Sequence, residues 1–145
     1  MRKLVIGALL IVAVSAAVWA QKQNKSWDTN KSTEVAQTAA MDWLALVDKA
    51  DYAGSYDQAA SMFKAAITKD DWMQKIRAVR GPFGKVISRK LKTAQYTTQL
   101  PGAPDGKYVV IQYDTSFENK QSAVETIVPM MDKDGQWRTS GYFVK

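Results

Sequence analysis

Between Arg77 and Leu91, in the stretch RAVRGPFGKVISRKL, one sequence periodicity stops and another begins. Upstream, apolar residues recur every three or four positions, the spacing of a buried helical face; downstream they alternate, the spacing of a strand with one covered face. Gly81, Pro82 and Gly84 supply the break, since Pro82 disfavours helical angles at Gly81 and glycines open backbone angles closed to other residues. A helical half is thus set against a sheet half. At 145 residues the two suit one domain, large enough to bury a core without staples.

The chain has no Cys and no His. Thiol catalysis, disulfides, thiolate or imidazole metal sites and Ser-His-Asp triads are therefore excluded, and any chemistry must come from carboxylates, Tyr, Lys, Ser or Arg. No cofactor is expected. Asp132, Asp134 and Gly135 resemble a short stretch of a calcium loop, but their place between two strand patterns reads as a hairpin turn. Net charge is +6, or +4 (18 basic against 14 acidic residues) once Arg2 and Lys3 of the amino-terminal segment are set aside. The basic residues are scattered, which argues for a solvated surface and against nucleic-acid binding.

Residues 1–20, MRKLVIGALLIVAVSAAVWA, join a basic start, an apolar run and small residues before Gln21, the pattern of a secretory signal peptide cut between Ala20 and Gln21. The alternative is an uncleaved inner-membrane anchor over residues 4–20; as a helix that segment spans about 25 Å against a hydrocarbon core of about 30 Å. Cleavage gives a periplasmic or secreted product that meets the membrane only in transit. Residues 21–33 are polar and read as a flexible leader, with Trp27 its one large apolar residue.

The domain proper is expected over 34–145. Ala36, Ala40, Trp43, Leu44 and Val47 share a helical face within 34–50; Tyr52, Tyr56, Ala59, Ala60, Phe63, Ala66 and Ile67 continue the period in a second helix; a third begins at Asp70 or Asp71 and carries Trp72, Ile76 and Val79 inward. The aromatic residues on these faces read as core. After Gly84, Ile87, Arg89 and Leu91 alternate with Ser88, Lys90 and Lys92 in a strand reaching about Gln99. The turn-rich Leu100 to Gly106 leads into a second strand with Val109, Ile111, Tyr113 and Phe117 on one face. A turn at Glu118 to Lys120, a third strand from Ser122 to Met131, a tight turn at Lys133 to Gln136 and a last strand, WRTSGYFVK, complete the chain. The fold class is α+β: three helices packed on one face of a curved four-stranded antiparallel meander sheet.

Two charges fall at inward strand positions. Arg89 lies between Ile87 and Leu91, and Glu125 between Ala123 and Ile127. An isolated buried charge is very costly, so the two are expected to meet across the sheet or to share a polar neighbour such as Tyr142. Their role is either an internal ion pair that fixes strand register or a ligand site in which the planar fork of Arg89 recognises an anion, with Arg77 and Arg80 as a candidate extension of that patch.

The tracts AAMDWLALVDKADYAGSY, VRGPFGKVISRKL, LPGAPDGKYVVIQYDTSF, AVET and DGQWRTSGYF, in this order, resemble the bacterial domain of unknown function 4019 family over roughly residues 35–144. The resemblance implies an exported protein and a helix-then-sheet layout similar to cystatin-like folds, among them nuclear transport factor two and ketosteroid isomerase. It implies no reaction. The expected function is a non-catalytic cell-envelope domain that binds a small ligand or an envelope protein. The alternatives are an isomerase-like enzyme using Glu125 with a Tyr (Tyr113 or Tyr142) and Asp114 in a sheet cavity, and a homodimer packed through Tyr108, Val110, Val124 and Val128.

Overall fold

The structure, a computed structural model, describes residues 10–145, with the side chains of residues 10–17, 19, 20, 24 and 27 outside the description. The expected signal segment therefore lies partly outside the described residues, as does the side chain of Trp27. Helix α1 runs Leu10–Asp48. The stretch 21–33, expected as a leader without structure, is helical; no Gly or Pro occurs between Gly7 and Gly54 to interrupt it. Among the described residues no helix is long and apolar enough to cross a membrane.

The chain divides into the units Met1–Ser32 and Thr33–Lys145, and the second holds every other element. These are α2 (Tyr52–Asp57), α3 (Ser61–Ala66), α4 (Lys69–Arg80), a 3₁₀ turn at Gly81–Phe83, and strands β1 (Val86–Thr97), β2 (Tyr108–Phe117), β3 (Lys120–Met131) and β4 (Trp137–Val144). The strands form one antiparallel sheet in the order β1-β2-β3-β4, the meander expected from the sequence.

Where the sequence predicts one second helix, the chain forms two. The break at residues 58–60 has a tertiary cause: the Ala60 N–H donates to the Thr139 carbonyl on β4 at 2.9 Å, and both Ala59 and Ala60 are fully buried. The first turn of α3 is held from far along the chain, because the Ser61 N–H and hydroxyl donate to the Asp132 carboxylate at 2.9 and 2.5 Å. Those bonds hold the Asp132 carboxyl below its usual pKa. Helix α4 starts at Lys69, one or two residues earlier than expected, with the Thr68 hydroxyl accepting from the Asp71 N–H, so Asp70 and Asp71 sit in the first turn where their charge meets the helix dipole. Trp72 and Ile76 point inward, but the third inward position is Arg80, and Val79 is exposed. Steps of four residues keep to one helical face, and 72, 76 and 80 follow that row.

Gly81 has helical angles despite preceding Pro82, since it lacks the Cβ that Pro would crowd. The periodicity break is made instead by Gly84, whose φ is +73° and where a Cβ would lie 2.6 Å from Glu118 Oε2. The turn docks here on the β2–β3 hairpin: the Lys85 N–H donates to Glu118, and the Asn119 N–H and amide donate to the Phe83 and Pro82 carbonyls.

The core lies between the helices and one face of the sheet, joining Ala36, Ala40, Trp43, Leu44 and Val47 to Val109, Ile111, Tyr113 and Ile127. The aromatic stripe is core, as its periodicity implies; Trp43 and Trp72 both donate to Ser55, at 2.7 and 3.0 Å. The alternation expected in β1 is only half kept. Register shifts set Ile87 and Lys92 apart as extra residues, leaving Ile87 66% exposed, while Leu91 stays opposite Tyr113 but is 51% exposed on this edge strand. Tyr108, named above for a packing face, is 1% exposed, with its hydroxyl donating to the Pro104 carbonyl; Val110, Val124 and Val128 are half-buried.

Gly84→Ala should lower stability by about 1–3 kcal/mol through its left-handed φ. Gly141→Ala, where a Cβ would meet nothing nearer than the Phe143 ring at 3.5 Å, should cost less, as paired urea denaturations would show.

Candidate functional site

Glu125 is 0% exposed on the inner face of β3, opposite Tyr113. Arg89 lies two strands away on β1. Adjacent strands are about 4.8 Å apart, so the pair must reach across β2. Thr115 makes this feasible: it stands opposite Arg89 on β2 and is short enough to leave the path open. Arg89 Nε and Nη2 donate to the two oxygens of Glu125 at 2.7 and 3.2 Å, and the Thr115 hydroxyl donates to Oε1 at 2.6 Å.

The expected third member is also present. The Tyr142 hydroxyl donates to Glu125 Oε2 at 2.5 Å and accepts from Arg80 Nη1 at 3.3 Å. Arg80 donates through Nη2 to Asp48 Oδ1 at 2.9 Å, and Arg89 grips the same carboxylate through Nη1 and Nη2 at 2.8 and 3.0 Å. Two guanidiniums and two carboxylates thus neutralise one another around one neutral phenol. Among the described residues Arg80 Nε has no hydrogen-bond partner, but its guanidinium carbon stacks 4.7 Å from the Phe117 ring centre. The network joins α1, α4 and all four strands.

Burial on its own would raise the Asp48 carboxyl, yet the bonds and charges of Arg89 and Arg80 prevail and hold it below its usual pKa. Burial, then the adjacent Glu125 charge, push the Tyr142 hydroxyl upward and keep it protonated. The Tyr113 hydroxyl is also raised, chiefly by burial.

The sequence expectation for Arg89, Glu125 and Tyr142 therefore matches the geometry, whereas the anion patch does not assemble. Arg77 is exposed on α4 and stands outside these contacts, and Arg80 turns inward to Asp48 and Tyr142. Asp48 and Thr115 were not singled out from the sequence. Both carried a signal: Asp48 continues the row Ala40, Leu44 by steps of four, and Thr115 lies between Tyr113 and Phe117 on the inward face of β2. Of the isomerase-like set, Glu125 meets Tyr142 and stands opposite Tyr113, but Asp114 does not join them. Asp114 faces away from the core, exposed and 3.4 Å from Lys92.

A separate open cleft of about 650 Å³ lies within the same unit, between α1 and the start of β4. Ala39, Asp42 and Trp43 line one side and Trp137, Arg138 and Thr139 the other. None of the network residues lines it, although the rings of Trp43 and Tyr142 stack at 5.4 Å and link the two regions. Arg138 is held by Asp134 in a two-bond fork at 2.7 and 2.8 Å and approaches Asp132 at 3.5 Å. The 132–136 segment is thus a hairpin turn whose carboxylates are already bonded, and among the described residues no group of three or more carboxylates is placed to hold a metal ion.

Arg89→Ala should cost about 3–5 kcal/mol, since it strands Glu125 without its main partner, and Tyr142→Phe about 1–3 kcal/mol. A loss on Arg89→Ala no larger than that of the exposed Lys90→Ala would contradict the network. Because Asp48 has a lowered folded pKa, its contribution is present above an unfolded value of about 3.9 and is lost as pH falls below it. The stability gap between the wild type and Asp48→Asn should therefore narrow from pH 5 toward pH 2.5.

No curated protein matches the chain. Residues 39–142 match the family described as Protein of unknown function (DUF4019), a span that begins within α1, includes every residue of the ion-pair network and ends on Tyr142. The chain belongs to the DUF4019 family.

Proposed function

We propose that the chain is a non-catalytic small-ligand-binding domain of the bacterial cell envelope, exported by residues 1–20, with the cleft between α1 and β4 as its binding site. The observation that carries this reading is the cleft itself. Its volume of about 650 Å³ is within the range of small-molecule pockets, and two tryptophans with a few polar side chains line it. The state of Glu125 supports the same reading. A catalytic carboxylate must reach a substrate proton, whereas both Glu125 oxygens accept bonds from Arg89, Thr115 and Tyr142 in a site closed to solvent. The network is better suited to clamping the helices to the sheet.

Native mass spectrometry of the protein isolated from the envelope fraction of its host tests the proposal. A reproducible added mass is expected on the wild type and on Tyr142→Phe, and its loss on Ala39→Trp, which fills the cleft from an accessible helix position. An added mass that survives Ala39→Trp, or none on the wild type, would overturn it.

A further inference from the structure

The cleft has a charge character opposite to that of the whole chain, which is +6. Asp42 and Arg138 are its charged lining residues. The Arg138 guanidinium is neutralised by Asp134 and flanked by Asp132, so it is poorly placed to receive an anion. Asp42, by contrast, is exposed and, among the described residues, has no hydrogen bond or ion pair. One guanidinium thus faces three carboxylates at or beside the cleft.

A second, independent observation concerns Thr139. It lines the cleft, is 1% exposed, and its hydroxyl has no hydrogen-bond partner among the described residues. A buried hydroxyl without a partner is unfavourable, and a ligand carrying an N–H donor would satisfy it. The remaining walls combine the apolar and aromatic Val35, Leu46, Trp43 and Trp137 with the uncharged polar Thr38, Gln58 and Gln136. The indole N–H of Trp43 is already given to the Ser55 carbonyl, so this side chain offers its ring rather than its donor. Aromatic rings beside a free carboxylate favour a cation with an apolar body.

We infer that the cleft between α1 and β4 binds a small organic ammonium, with Asp42 pairing its charge, Trp43 and Trp137 enclosing its apolar part, and Thr139 accepting an N–H. This rests on the proposed binding role of the cleft and adds the chemical class of the ligand.

Three probes of similar shape separate the two claims: 2-phenylethylammonium, neutral 2-phenylethanol and anionic 3-phenylpropanoate, each titrated into the full chain by calorimetry at neutral pH. The ammonium should bind at least about tenfold more tightly than the other two, Asp42→Asn should reduce its affinity to about that of the alcohol, and Ala39→Trp should weaken all binding. Equal or tighter binding of the alcohol or the carboxylate, or an Asp42→Asn variant that binds the ammonium like the wild type, overturns the ammonium assignment and leaves the cleft as a binding site. Failure of all three probes overturns the ammonium assignment too. The cleft itself is then judged by the added mass and its response to Ala39→Trp.

Discussion

A carboxylate at zero exposure sets the terms for this fold. Glu125 is removed from water on the inner face of the sheet, where an unpaired charge would cost several kcal/mol, so its surroundings must be built to hold it. That requirement reaches every layer. Arg89 comes from the edge strand, Thr115 from the strand between, Tyr142 from the last strand, and Arg80 from the end of α4, with Asp48 of α1 balancing the second guanidinium. An apolar core alone would tolerate some sliding of helices over sheet. Fixed donor and acceptor directions do not, because a shift of even one residue reverses the facing of a strand.

The parts of this arrangement legible in the sequence are those set by local period. Arg89 and Glu125 stand out because each interrupts an apolar strand face, and burying a charge demands a partner whatever the detailed geometry. Tyr142 follows as the nearest polar group on a facing strand. Asp48 and Thr115 are harder to see, since an aspartate near a helix end and a threonine in a strand have ordinary explanations at the surface. The departures have tertiary causes. The second helical stretch is cut at Ala60 by a bond to Thr139 that no local pattern announces, and Ile87 leaves the inward face through a bulge. Val79 and Arg80 differ by one position on α4, and the buried one is the polar one because Asp48 and Tyr142 await it.

The same layer between helices and sheet holds two unlike regions. At one end polar groups bond to one another around a carboxylate closed to solvent; at the other, a cleft is left open where, among the described residues, a carboxylate and a hydroxyl have no partner. Trp43 stands between them, against Tyr142 on one side and the cleft on the other. Stability is thereby concentrated where the surface is closed, leaving the open end free to vary in its side chains without endangering the clamp.

The Asp132 contact to Ser61 bears on the order in which the chain assembles. Its two ends are 71 residues apart, and α3 is only six residues long, far too short to persist as a helix without outside support. As the chain leaves the ribosome, α3 emerges well before the carboxylate that caps it. The first turn of α3 therefore gains this support only once the final hairpin has arrived, and a chain truncated before residue 132 lacks it.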